Sequence, residues 1–393
     1  MHSNIITKGA FPEMKKNFLI FACFFAFAAG HCIAMDPQSV YFCAKGNAKY
    51  DIYDYEGAIE FFSKAIALEP SYKDAYYFRA NAKAENGDFN GAIEDYDKVI
   101  ELDPKETQAY KNRGIIKDNI GDFKGAINDF NKLIELNPRD SSGYLELGYE
   151  KRENGDYKGA ISDYTKAAML DPKNADIYCE ISFVKSQMGD YKGSIEYCTK
   201  AIGINPEFSN AYFDRGQAEY KMAAYAKAIN DFSKAIGLDP NYIEAYDARG
   251  NARDEAGDHK GALEDYNNAI EINPEYAKAF CDRGITLYGI KDFIKAIEAF
   301  DEAIKLKPEY SEAYDNRGNA KDSMGDHEAA IKDYDKAIEL DPKSGEAYYN
   351  RGVTEEIIKQ YESALIDYDI ASKLGDKLAK KRMIKIKGLI KKK

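Results

Sequence analysis

SEAYDNRGNAKDSMGDHEAAIKDYDKAIELDP, residues 311–342, decides the fold. Apolar and small residues recur at helical spacing on both sides of Gly325-Asp326, a pair that reads as a helix stop followed by an N-cap. The segment is therefore a helical hairpin. Its closing Pro342 is one of nine prolines that fall 34 residues apart, at 70, 104, 138, 172, 206, 240, 274, 308 and 342. A period of that length marks an all-α solenoid, in which each unit buries its apolar face by stacking on its neighbours.

Aligned on those prolines, the chain reads as ten units in one frame, starting at Ser39, Lys73, Thr107, Ser141, Ala175, Ser209, Ile243, Ala277, Ser311 and Gly345. Position 4 is always aromatic, and position 8 is Gly in eight units, with Ala80 and Ser182 elsewhere. Position 20 is Ala except for Ser194, and position 24 is aromatic in nine units, with Cys198 in the fifth. This signature, with Ala frequent at position 27 and Pro at 32, resembles the tetratricopeptide repeat over Ser39 to about Asp376. Two features depart from it: position 7 is usually Arg rather than aliphatic, and the last unit reads Gly375-Asp376 where Pro should stand. The resemblance implies a right-handed superhelix of antiparallel helix hairpins, an α-solenoid whose first helices line a concave groove for protein or peptide partners. The expected organisation is a signal or anchor over 1–34, ten tandem repeats over 35–376 and a basic capping helix over 377–393, one elongated body without linkers.

Within a hairpin, Gly at position 8 and Ala at position 20 lie at similar distances from the turn, which predicts a close helix approach there with aromatics beside it. Asp or Asn before Pro is expected to end the second helix, with Pro in the first turn of the next. Positions 7 and 23 are symmetric about the turn, and six units carry Arg and Asp there: Arg79/Asp95, Arg113/Asp129, Arg215/Asp231, Arg249/Asp265, Arg317/Asp333 and Arg351/Asp367. Facing ion pairs are expected, worth about 0.5 kcal/mol each if exposed and more sensitive to loss of one partner if buried.

Charge is uneven. The whole chain carries −12, yet residues 377–393 hold nine cations and no acid, and the repeat body alone carries −23. Such a body disfavours nucleic acid as a partner. Positions 2, 5, 6, 9, 12 and 13 form one face of the first helices, and across the ten units they hold nineteen acids against four bases. The candidate binding residues on this face are Asp74, Tyr77, Asp118, Asp176, Glu180, Phe213, Asp214, Glu244, Asp247, Asp282, Tyr288, Glu312, Asp315 and Asp322. An acidic field with rings between the charges should attract a protein or peptide with a basic segment. Some relatives clamp the C-terminal carboxylate of chaperones with cations and Asn, but here Tyr77, Ser142 and Glu146 stand where the cations belong, which argues against that role.

Lys15-Lys16 followed by the apolar run Phe18 to Ala29 reads as an export signal, with cleavage after a small-residue pattern near Ala28 or Ala34 and the true start at Met1 or Met14. A periplasmic or secreted location is expected, with an uncleaved membrane anchor as the alternative. Cys32 invites a lipoprotein reading, against which His31 before it stands. The six cysteines show no disulfide framework. The stripe Ala379, Met383, Ile386 and Ile390 amid cations predicts a helix that caps the stack, membrane or acidic-partner contact being the alternative.

No catalytic or cofactor chemistry is expected, because no G-x-S-x-G, P-loop or G-x-G-x-x-G occurs and the repeat frame is never broken. His259 and His327 replace aromatics at position 17 of separate units and are not expected to hold metal. Asn86, Asp88 and Asn90 imitate a calcium loop, yet the same run recurs in neighbouring units as a turn entering a helix. The sequence thus points to an exported, non-catalytic scaffold, with a membrane-anchored assembly factor of an envelope or secretion machine as the alternative.

Overall fold

The computed structural model describes residues 35–390, so the expected export segment over 1–34 lies outside the described residues. Those residues form 21 helices and no strand. They pair as ten hairpins: α1 (Pro37–Tyr50) with α2 (Tyr55–Leu68), α3 (Lys73–Glu85) with α4 (Phe89–Leu102), α5 (Thr107–Asn119) with α6 (Phe123–Leu136), α7 (Ser141–Glu153) with α8 (Tyr157–Leu170), and α9 (Ala175–Gln187) with α10 (Tyr191–Ile204). Next come α11 (Ser209–Lys221) with α12 (Tyr225–Leu238), α13 (Ile243–Glu255) with α14 (His259–Ile272), α15 (Ala277–Gly289) with α16 (Phe293–Leu306), α17 (Ser311–Ser323) with α18 (His327–Leu340), and α19 (Gly345–Ile357) with α20 (Tyr361–Lys373). A single helix, α21 (Lys377–Ile390), follows.

The hairpins fall into two compact units, one ending at Glu106 and one beginning at Thr107. Within each, a second helix packs on the first helix of the next hairpin. First helices of successive hairpins also touch, α1 with α3 in one unit and α9 through α19 in the other. This is the all-α solenoid of helix hairpins that the period predicts.

Each hairpin turn is set by local chemistry. Gly87, Gly121, Gly155, Gly189, Gly257 and Gly325 adopt φ between 76° and 87°, and the Asp after each accepts a hydrogen bond from an N–H in the first turn of the second helix, as Asp258 does from Gly261 at 3.0 Å. Four hairpins hold the same left-handed conformation without glycine, at Tyr53, Ala223, Lys291 and Lys359. A side chain there costs about 1–2 kcal/mol, partly offset because glycine raises the entropy of the unfolded chain. Lys291→Gly is therefore expected to stabilise the protein by up to about 1 kcal/mol, read as a higher thermal midpoint.

Two expectations need correction. Proline does not enter the next helix. The second helices end two residues before it, as α4 does at Leu102, and Pro104 sits in a turn closed by Glu106 N–H donating to Asp103 O at 3.0 Å. Glycine at position 8 faces the ring at position 24 of its own hairpin: a Cβ built on Gly250 would lie 2.6 Å from Tyr266 Cε1, and Gly114, Gly284 and Gly318 stand in the same relation to Phe130, Phe300 and Tyr334. In the fifth hairpin both members change together, and the buried Ser182 hydroxyl meets Cys198 and Ser194.

All six expected Arg–Asp pairs form, each with two N–H groups on one carboxylate. Arg249 Nε and Nη2 reach Asp265 at 2.9 and 2.7 Å, and Arg317 reaches Asp333 at 2.9 and 2.6 Å. The aspartates are buried, so the pairs belong to the sensitive kind. Each of these guanidinium groups also lies 5.3–5.6 Å from the ring at position 4 of its unit. A third N–H reaches back to position 25 of the preceding hairpin: Arg79 to Ser63 and Arg249 to Ser233 at 3.0 Å, Arg215 to Thr199 at 3.2 Å, and Arg351 to Asp335 at 2.5 Å. Leu147 and Ile181 occupy position 7 in the fourth and fifth hairpins, where no such bonds can form.

At the C-terminal end α21 packs on the last hairpin, burying Ala379 and Ile386 with Met383 against Ala364, Tyr368 and Ala371. No helix among the described residues is long and apolar enough to cross a membrane.

Candidate protein-binding face

The first helices carry the candidate residues in two tiers. In the unit ending at Glu106, Asp74 is exposed on the first turn of α3, and Tyr77 is half-buried, its ring 5.7 Å from Phe78 and 5.9 Å from Tyr96. In the other unit, Asp176, Glu244 and Glu312 take the same place on α9, α13 and α17, exposed and where the helix N-terminus favours negative charge. Positions 5 and 6 point deeper, and there Asp247 and Asp315 are buried.

These deeper acids are held from within the protein. Lys278 binds Asp247 and, at 2.6 Å, Asp282, which also accepts from Asn251 Nδ2 at 3.0 Å. Asp315 accepts from Asn350 at 3.0 Å and from Asn319 at 3.5 Å. Arg152 binds Glu180, and Asp322 meets His327 Nδ1 at 2.7 Å, as Asp254 meets His259. The two position-17 histidines are thus partners of position-12 aspartates. Sequence reading missed these ties, although spacings of 4, 5 and 31 residues each occur twice among them.

Burial leaves a titration signature. It pushes the carboxyl of Asp315 up to about 7, against the hydrogen bond from Asn350. It does the same for Asp214, helped by Glu180, and for Glu355, helped by Asp367. Asp247 is raised by burial and by Asp282, and Glu150 by burial and by Asp118, the candidate acid beside it. In the opposite direction Asp54 and Asp190 are lowered, first by hydrogen bonds from Lys49 and Lys185.

Raised acids make the native state bind more protons than the unfolded chain between the ordinary carboxylate value of about 4 and about 7, so their contribution to stability is present at low pH and lost as pH rises through about 7. The lowered acids contribute the reverse, which disappears as pH falls below about 4. Melting curves should therefore show a higher midpoint near pH 5.5 than near pH 8, and a decline again below about pH 4. A midpoint that climbs steadily to pH 8 would contradict the desolvation of these carboxyls.

Of the candidate rings, Phe213 packs 5.7 Å from Phe232 and 4.9 Å from Tyr242, and Tyr288 lies 5.5 Å from Phe293 with its hydroxyl 3.2 Å from Ser323. Both join the hairpins together. Phe183, by contrast, is an exposed ring on α9. Beside it a cleft of about 250 Å³ opens along α7, α9 and α11, and it gathers Asp176, Glu180 and Asp214 from the candidate set. The structure thus brings three of the acids together at one place and ties Asp247 to Asp282 at another.

Models described as "TPR repeat" match residues 148–189, 250–290 and 323–354, and models described as "Tetratricopeptide repeat" match 74–106, 107–140, 175–208, 209–242 and 277–310. Among solved structures, a tetratricopeptide repeat protein from Parabacteroides merdae ATCC 43184 is 19% identical with a TM-score of 0.53, covering 63% of this chain and 98% of its own. The APC/C hetero-tetramer Cut9-Hcn1 is 14% identical with a TM-score of 0.52, covering 88% of this chain and 84% of its own. Yeast Tom70 is 17% identical with a TM-score of 0.49, covering 89% and 94%. No curated protein matches the chain. Family matches spread over most of the repeats, on hairpins whose turn, ring and proline positions coincide with the signature, place this chain in the tetratricopeptide-repeat family.

Proposed function

We propose that the protein is an exported, non-catalytic scaffold that holds a basic segment of a protein partner on the acidic face of its first helices. Tetratricopeptide repeats serve as protein-interaction scaffolds, and the repeat frame leaves no room for a catalytic insertion. One observation carries the basic-segment reading. The protein's own cationic helix α21 already sits against the same face of the last hairpin: Arg382 and Lys385 each reach Glu356 at 3.0 Å, and Arg382 also donates to the Tyr349 hydroxyl at 3.2 Å. Glu356 and Tyr349 stand at positions 12 and 5, two of the six that define the face. Lys15-Lys16 followed by the apolar run Phe18 to Ala29, a pattern that reads as an export signal, supports action outside the cytoplasm.

The test uses the exposed tier, because reversing buried Asp247 or Asp315 would damage the fold itself. Glu244, Glu312 and Glu346 are exposed at position 2 of α13, α17 and α19. Changing all three to Lys should weaken binding of the native partner by about tenfold or more at low salt, and the difference should shrink at high salt, since screening acts beyond about 8 Å at physiological ionic strength. Isothermal titration reads both effects. Equal affinity in the triple variant would move the binding surface elsewhere.

A second reading, a membrane-anchored assembly factor, draws on α21, which exposes Leu378 and Ile384 among its lysines. Fractionation of cells expressing the full chain separates the two: a soluble pool contradicts permanent anchoring.

A further inference from the structure

Along the acidic face, charges recur in a pattern that one place leaves incomplete. Arg152, at position 12 of the fourth repeat, binds Glu180 at position 6 of the fifth, and its guanidinium lies 5.3 Å from each of the Tyr149 and Phe183 rings. One repeat further on, Asp214 holds the place of Glu180, and Ser186 holds the place of Arg152. The cation is missing. Asp214 makes no hydrogen bond or ion pair with any described residue, yet it is partly buried in the cleft wall, with its carboxyl raised to about 7 by burial and then by Glu180. A lone carboxylate in such surroundings is unfavourable unless a cation joins it.

The space for that cation exists. The cleft of about 250 Å³ beside Asp214 has Asp176 and Glu180 on one side and the Phe183 and Phe208 rings among its walls. Flat rings next to a carboxylate suit a guanidinium, which stacks and donates at once, as Arg152 already does in the same cleft. We propose that this cleft receives one arginine side chain of the bound protein segment, with Asp214 as its counter-ion and Phe208 and Phe183 as flanking walls. The proposal rests on the reading of the first-helix face as the partner site and names the residue type that face selects.

The probe is Nα-acetyl-L-argininamide, with the citrulline analogue as its neutral isostere, titrated into the full chain carrying ring-¹³C phenylalanine. The Phe183 and Phe208 signals should shift saturably with the arginine compound and at least about tenfold more weakly with citrulline, because only the charged head completes the Asp214 pair. Asp214→Asn, which removes the counter-ion, should weaken the response by about tenfold, and so should Ser186→Arg, which supplies the missing cation from within. The second variant copies an arrangement the neighbouring repeat already accommodates, and dispersed phenylalanine signals report that each variant is folded. Equal response to arginine and citrulline, no response in the wild type, or unchanged binding in both variants would overturn the proposal. No partner enters this measurement, so a failure here leaves the triple Glu→Lys result standing, and a failure there leaves this one standing.

Discussion

Asp265→Ala is expected to destabilise the protein by about 3–5 kcal/mol, as removal of one member of a buried ion pair does. Asp265 is fully buried and accepts two hydrogen bonds from Arg249 and a third, at 2.9 Å, from Arg253. Without it, two guanidinium groups converge on a methyl. The cost arises from those stranded cations, not from the worth of the pair itself, so the double change Arg249→Met with Asp265→Leu should recover part of the loss, the remainder resting with Arg253. Chemical denaturation of the two variants checks the order. If the single and double changes were equally harmful, the site would be limited by shape and not by charge.

Gly250→Leu is the second large effect, at about 3 kcal/mol or more of overpacking. Its Cβ alone would stand 2.6 Å from the Tyr266 ring, which is itself buried with its hydroxyl donating to Asn251 Oδ1 at 2.8 Å. The ring can yield a few tenths of an ångström but not the width of an isobutyl group. Ala80, which occupies this position over Tyr96 in the second hairpin, shows that a single methyl is tolerated. Gly250→Ala should therefore cost far less than Gly250→Leu, and thermal melting of the pair gives the comparison; similar midpoints would mean the ring moves freely.

Much of the fold could be read directly because it depends on events that repeat. Turn, cap and ring recur at fixed positions, and the symmetry of positions 7 and 23 about the turn was enough to pair Arg249 with Asp265 and its five equivalents. The partner of Gly250 was misjudged because both position 20 and position 24 lie across from position 8, and only three-dimensional packing shows that the ring, not the alanine, fills the gap. Substitution in the fifth hairpin held the clue: where Ser182 replaces glycine, Cys198 replaces the ring. The candidate face was harder still. Counting charge by position cannot separate exposed Glu244 from buried Asp247, three residues away on the same helix, and it cannot see that Lys278 neutralises one of the acids it tallies.

The backward reach of the position-7 arginines has a consequence for cooperativity. An intrahairpin pair alone would stabilise each hairpin separately, whereas Arg79, Arg215, Arg249 and Arg351 spend one N–H on the hairpin before their own. Folding of one repeat thereby becomes a condition for full bonding in the next, which raises the nearest-neighbour coupling on which a linear array depends. Leu147 and Ile181 remove that coupling from the fourth and fifth hairpins and leave them joined to their predecessors by apolar contact alone at this position. Apolar contacts tolerate small rotations that directed bonds resist. Of the three hairpins that carry the cleft, the fourth and fifth thus lack this backward tie, while Arg215 fastens the sixth, which bears Asp214, to the fifth.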